Sequence, residues 1–179
     1  MNPFLSGGIW RPAAAGFLAC VLLIPACGYR LVGTGSALPP HIKTLAVPLF
    51  RNTSAEPTLQ RQLTETIRRA FITDGRLRLV DDPKKADLLL KGTLNFYDIR
   101  AVAFNENDVA TQYWVYLGIE MVARDQVKKS AYLRENFRTR WDYRASANVV
   151  DSESERQKAL DQAYRDVATR LISILIDQF

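Results

Sequence analysis

Between residues 87 and 144 apolar and polar side chains alternate almost without a break, interrupted by two short polar turns. A period of two over so long a stretch demands successive antiparallel strands, because only a pleated strand sends every second side chain to one face. The first run, residues 87–104, sets Leu88, Leu90, Leu94 and Phe96 on a shared face. Near Tyr97 and Asp98 the parity slips to Ile99, Ala101 and Ala103, as at a β-bulge. After a polar tip at 105–108, the run 111–123 points Tyr113, Val115, Leu117, Ile119 and Met121 one way. A second tip, 124–130, carries Lys128 and Lys129. The run 131–144 then puts Leu133, Phe137, Trp141 and Tyr143 on one face and Arg134, Arg138, Arg140 and Arg144 on the other.

Outside this region the period changes. From Glu56 the apolar residues Leu59, Leu63, Ile67, Ala70 and Phe71 follow helical spacing, with Pro57 in the first turn and Gly75 as a stop. Ser152-Glu153-Ser154-Glu155 offers a capping box for a second helix whose apolar side holds Leu160, Ala163, Val167, Leu171, Ile174 and Leu175. Residues 43–50 read as a first strand with Leu45, Val47 and Leu49 on one face, and Pro48 marks an edge or a bulge. A short strand follows at 76–80. The expected fold is α+β: a two-layer sandwich with a mostly antiparallel four- to five-stranded sheet and two helices packed on one face.

Composition removes most enzyme chemistry. Among 179 residues there is one His, His41, beside a Pro-Pro pair, and both Cys, Cys20 and Cys27, fall in the first 27 positions. No Ser-His-Asp, Cys-His or cysteine-based metal constellation can be assembled from that set. The pairs Asp81-Asp82 and Glu153/Glu155 sit where turns and caps use carboxylates locally, and Gly92 stands alone without a nucleotide-binding pattern. No catalytic residue, metal site or cofactor is expected, and His41 reads as part of a tether.

Residues 1–26 carry one base, Arg11, no acid, and an apolar stretch before Cys27. That stretch is about 14 residues, short of the roughly 20 that a spanning helix needs, so it reads as a secretory signal peptide. Leu23-Ile24-Pro25-Ala26-Cys27 resembles a bacterial lipobox, which implies cleavage before Cys27 and a covalent lipid on it. Pro25 departs from the usual small residue, Cys20 is a poorer alternative site, and a soluble exported protein with a free thiol is the competing reading. Gly28 rather than Asp after the Cys implies, by the same resemblance, sorting to the outer membrane of a Gram-negative bacterium, on the periplasmic side. The expected organisation is a signal peptide over 1–26, a lipidated tether over 27–42 and one domain over 43–179.

With helices on one face of the sheet, the other face meets water, lipid or protein. The Arg134, Arg138, Arg140, Arg144 row lies there beside Trp114, Tyr116 and Glu120, an arrangement suited to anionic lipid, phosphate or an acidic partner, and equally to plain solvation. Lys128 and Lys129 are a further candidate contact, against the default of a charged hairpin turn. Nucleic acid is set aside because export removes the chain from it, although the formal net charge is +5.

Cys27-Gly28-Tyr29-Arg30-Leu31 with Gly33, then LPPHIKTLAVPLFRNTSAEP and ADLLLKGTLNFYDI, are the segments that carry a family resemblance. Together they resemble the LptE family of lipopolysaccharide-assembly lipoproteins across the whole chain after Cys27. The resemblance implies a non-enzymatic outer-membrane lipoprotein that plugs the β-barrel LptD, assists its assembly and takes part in moving lipopolysaccharide to the outer leaflet. Family members are thought to contact lipid through bases near a strand-hairpin tip and after the last strand. Here the tip at 105–108 and the segment 145–154 hold no Lys or Arg, so no contact residue transfers by position. An independent envelope scaffold or glycan-binding lipoprotein is the alternative.

Overall fold

The computed structural model describes residues 38–145 and 148–177. Its order is β1 (Thr44–Ala46), β2 (Arg51–Asn52), α1 (Leu59–Asp74), β3 (Arg78–Leu79), a 3₁₀ turn (Pro83–Lys85), β4 (Leu88–Phe104), β5 (Ala110–Asp125), β6 (Ser130–Arg144), α2 (Val149–Ile172) and a π turn (Ser173–Asp177). The strands form one six-stranded sheet in the order β3-β1-β4-β5-β6, and β2 pairs with β4. It is an α+β arrangement with the helices covering the face that carries Val115, Leu117, Ile119 and Phe137.

The expectation of a mostly antiparallel sheet of four to five strands is corrected in detail, for the sheet is mixed. The β4-β5-β6 meander is antiparallel, whereas β1 runs parallel to both β3 and β4, and β2 runs parallel to β4. A crossover through α1 returns the chain in the same direction, which makes the β1/β3 pair parallel. The expected single strand over 43–50 is split at Pro48, which has no N–H to give a ladder. Leu49 is turned 55% exposed while Phe50 is buried. The Phe50 N–H, taken out of the ladder, donates to Thr64 Oγ1 of α1 at 3.1 Å.

Helix α1 buries Leu59, Leu63, Ile67 and Phe71, the spacing read from sequence, and stops at Gly75 (φ +74°), whose N–H reaches Phe71 O. Its first turn is later than expected, because Thr58 at φ 78° sits at the N-cap and Pro57 lies outside. Helix α2 starts earlier than the proposed box at Ser152. Asn148 is its N-cap and accepts from Val150 N at 3.0 Å, while Glu153 and Glu155 instead pair with Arg156 and Lys158. The π turn adds a residue to the last coil, so Ile176 joins the expected Leu175 in the core and Ile174 packs against it half-buried.

The bulge in β4 falls between Leu94 and Phe96, slightly before the expected slip at Tyr97 and Asp98. Leu88, Leu90 and Leu94 face the helices, and after the extra residue Tyr97 and Ile99 take over that role. Phe96, expected inside, is therefore 48% exposed on the opposite face.

Residues 38–42 engage the domain. Ile42 is part of the core, and His41 Nε2 lies 2.6 Å from Asp125 Oδ2, so His41 is not the unattached tether residue that the sequence suggested.

Candidate functional site: the outer face of the sheet

Strand pairing fixes which side chains share the uncovered face. Opposite one another stand Gln112 and Arg144, Trp114 and Asp142, Tyr116 and Arg140, Gly118 and Arg138, and Val122 and Arg134. The same rows continue onto β4, where Arg100 faces Trp114, Asp98 faces Tyr116 and Phe96 faces Gly118. All four arginines of the row are exposed and lie on one face, as strand parity required.

Each base has a different setting. The Arg140 guanidinium carbon lies 4.1 Å from the Trp114 ring centroid, a cation–π contact, and Trp114 meets Tyr116 edge-on at 6.3 Å. Arg100 covers the other side of this cluster, 5.4 Å from the Tyr116 centroid. Its Nε donates to Asp98 Oδ2 at 2.7 Å, and that bond holds its proton more tightly than usual. Arg134 lies 3.7 Å from Glu120, with both partners well exposed, a contact that contributes at most about 1 kcal/mol. Arg138 and Arg144 form no ion pair among the described residues.

Between these side chains runs a groove of about 930 Å³, lined by Asn95, Phe96, Tyr116, Gly118, Arg138 and Arg140 among others. Gly118 makes the room. A Cβ there would stand 2.8 Å from both Asn95 Oδ1 and Phe96 Cβ. The groove thus joins an apolar wall, Phe96 and the Tyr116 ring, to guanidinium forks that can grip a phosphate or carboxylate with two parallel bonds. Such a surface suits an amphipathic anion. Phe96 and Arg100 were missed from sequence because the position of the β4 bulge decides their face, and periodicity alone did not place it. Gly118 was missed because, although the β5 alternation sets it on this face, it has no side chain to mark it.

Lys128 and Lys129 are not in this groove. They sit in the turn between β5 and β6, with Lys129 at φ 57°. Asp125 builds that turn: its Oδ1 accepts from the N–H groups of Val127 at 2.9 Å and Lys128 at 2.8 Å, and its Oδ2 receives His41. The Lys128 N–H, with His41 beside it, outweighs burial and lowers the Asp125 pKa. Cys27 and the lipobox lie outside the described residues.

Residues 42–175 match the family model LptE, Lipopolysaccharide-assembly. The chain belongs to the LptE family. No curated protein matches it. Among solved structures, the rare lipoprotein B of Shewanella oneidensis is similar at 13% identity and TM-score 0.51, over 69% of this chain and 90% of that one. A hypothetical protein of Chlamydia trachomatis is similar at 12% identity and TM-score 0.53, over 75% and 98%. At such identities the likeness is one of fold. LptE proteins are a cofactor-free lipoprotein family, and among the described residues no group of three or more His, Cys, Asp or Glu is placed to hold a metal. No helix among the described residues is long and apolar enough to cross a membrane.

Proposed function

We propose that this LptE-family chain is a non-catalytic outer-membrane lipoprotein, anchored through a lipid on Cys27, that plugs an LptD-like β-barrel and takes part in lipopolysaccharide transport. It faces the periplasmic side and also assists assembly of its barrel. Family membership supports the lipopolysaccharide role. The observation that carries the site is the uncovered sheet face, where Arg138 and Arg140 flank an aromatic-walled groove.

The chemistry of that face suits both partners. Lipid A is a phosphorylated, acylated disaccharide, so guanidinium forks beside Phe96 and Trp114 complement its charge and its apolar body. A barrel lumen, by contrast, presents polar side chains to which the same arginines can donate. Lys128 and Lys129 lie apart from the groove and are not assigned to it.

The test is a mild-detergent pull-down of the tagged full chain from outer membranes, with mass spectrometry of bound protein and lipid. A stoichiometric large barrel and bound lipopolysaccharide are expected, with the lipid lost on R138E/R140E. A lone monomer, or lipid retained by the charge-reversed variant, defeats the reading.

A further inference from the structure

Strand β6 ends one side of the sheet, with no strand beyond it. It runs for 15 residues, whereas the opposite edge, β3, has 2. A long edge is a template for pairing with another chain, and folds usually blunt it with brevity, proline or a bulge. Strand β6 contains no proline, and from Leu133 to Arg144 its pairing with β5 is unshifted.

The ladder fixes which backbone groups face outward. Ala145 N–H donates to Thr111 O at 2.9 Å, which sets the phase. In an antiparallel pair, alternate residues turn both N–H and C=O to their neighbour, so Glu135, Phe137, Thr139, Trp141 and Tyr143 bond to β5. Arg134, Asn136, Arg138, Arg140, Asp142 and Arg144 turn theirs to the open side. Among the described residues these outward N–H and C=O groups form no hydrogen bond.

Side chains along the edge specify its partner. On the inner face Leu133, Trp141 and Tyr143 are half-buried, while Val115, Leu117 and Ile119 of β5 are 1% exposed, so a further strand with apolar inward side chains would complete their cover. On the outer face the edge carries four arginines and one acid, Asp142, and Glu135 is the one charge that β6 turns inward. The ionised acids on the outer face of β4–β6, Asp98, Glu120 and Asp142, offset the row only in part, because Arg100 already matches Asp98. Arg134 and Arg144 lie outside the groove.

We propose that the β6 edge is a strand-addition site for an extended segment of a partner protein, pairing antiparallel, in which acidic side chains alternate with apolar ones. The acids then stand directly opposite the arginine row, and the apolar side chains meet Leu133, Trp141 and Tyr143. A second β6 would lay the same basic row against itself, and the wall of a closed barrel has no strand edge to offer. The proposal depends on neither the lipid anchor nor the lipopolysaccharide reading.

The test uses the full chain with capped peptides of about ten residues, alternating valine with glutamate or valine with lysine, and reads amide exchange by NMR. With saturating glutamate peptide, the amides of Asn136, Arg138, Arg140 and Asp142 are expected to exchange at least about tenfold more slowly, while those of Phe137 and Thr139, already bonded to β5, change by less than about threefold. N-methylation of the glutamates, whose N–H groups would face β6, should abolish the protection, and R134Q/R144Q should weaken binding at least about threefold at low salt. No protection by the glutamate peptide, equal protection by the lysine peptide, protection that survives N-methylation, or unchanged affinity in R134Q/R144Q overturns the proposal. Protection of the same amides on raising the protein concentration alone gives the edge to a second copy and also overturns it.

Discussion

Replacing Gly92 by Ala tests how the split first strand is locked into the core. A Cβ at position 92 would stand 2.3 Å from Phe50 Cδ2 and Cε2 and 2.7 Å from its Cγ. Carbon atoms pack at about 3.5–4.0 Å, so the ring has to retreat by more than about 1 Å. Little freedom exists for that. Phe50 is 2% exposed, and its N–H is bonded to Thr64 Oγ1, itself fully buried and donating to Gln60 O. Overpacking a tight core costs about 1–3 kcal/mol, and expelling a buried Phe altogether costs about 3–5 kcal/mol, so we expect about 3 kcal/mol for Gly92→Ala. In a domain of this size that lowers Tm by roughly 9 °C. Guanidinium denaturation followed by circular dichroism supplies the assay. In a Phe50→Ala background the offending atoms are gone, and the same substitution should cost only about 1 kcal/mol, a coupling of about 2 kcal/mol. Additivity of the two changes within about 0.5 kcal/mol would refute the reasoning.

Asp87 lies below its ordinary pKa because the donations from Lys43 and Thr44 outweigh the upward push of burial. A carboxylate depressed by folding contributes stability that is fully present above about pH 5 and is lost as the pH falls through 3.8 toward the folded value. Asp87→Asn should cost about 1–2 kcal/mol at neutral pH and flatten this acid slope, measured as Tm against pH; an unchanged slope contradicts the assignment. On the outer face, Arg140→Ala should lose about 0.5–1 kcal/mol with its Trp114 contact, whereas Arg138→Ala should leave stability unaltered, both by denaturation. Equal losses from the two would show that Arg138 has a partner in the fold.

Much of this site was legible from parity. Once the 111–123 and 131–144 runs were read as paired strands, the four arginines had to share a face with Trp114 and Tyr116, and they do. The helical faces of α1 and most of α2 followed from spacing in the same way. What sequence could not supply were single-residue shifts of phase. A bulge at Asn95 and a π turn at Ser173–Asp177 each move later residues to another face, and their positions depend on packing with distant partners. Long-range polar contacts were equally hidden. Nothing near His41 announces Asp125, 84 residues away.

The outer sheet face is the proposed working surface of the domain. A photo-crosslinking amino acid at Asn136, exposed between Arg134 and Arg138, tests this in cells, with Asp161 on the helix face as the control. We expect adducts to lipopolysaccharide or to the barrel from position 136 and none to lipopolysaccharide from position 161. Adducts to either partner from 161 alone would contradict the account.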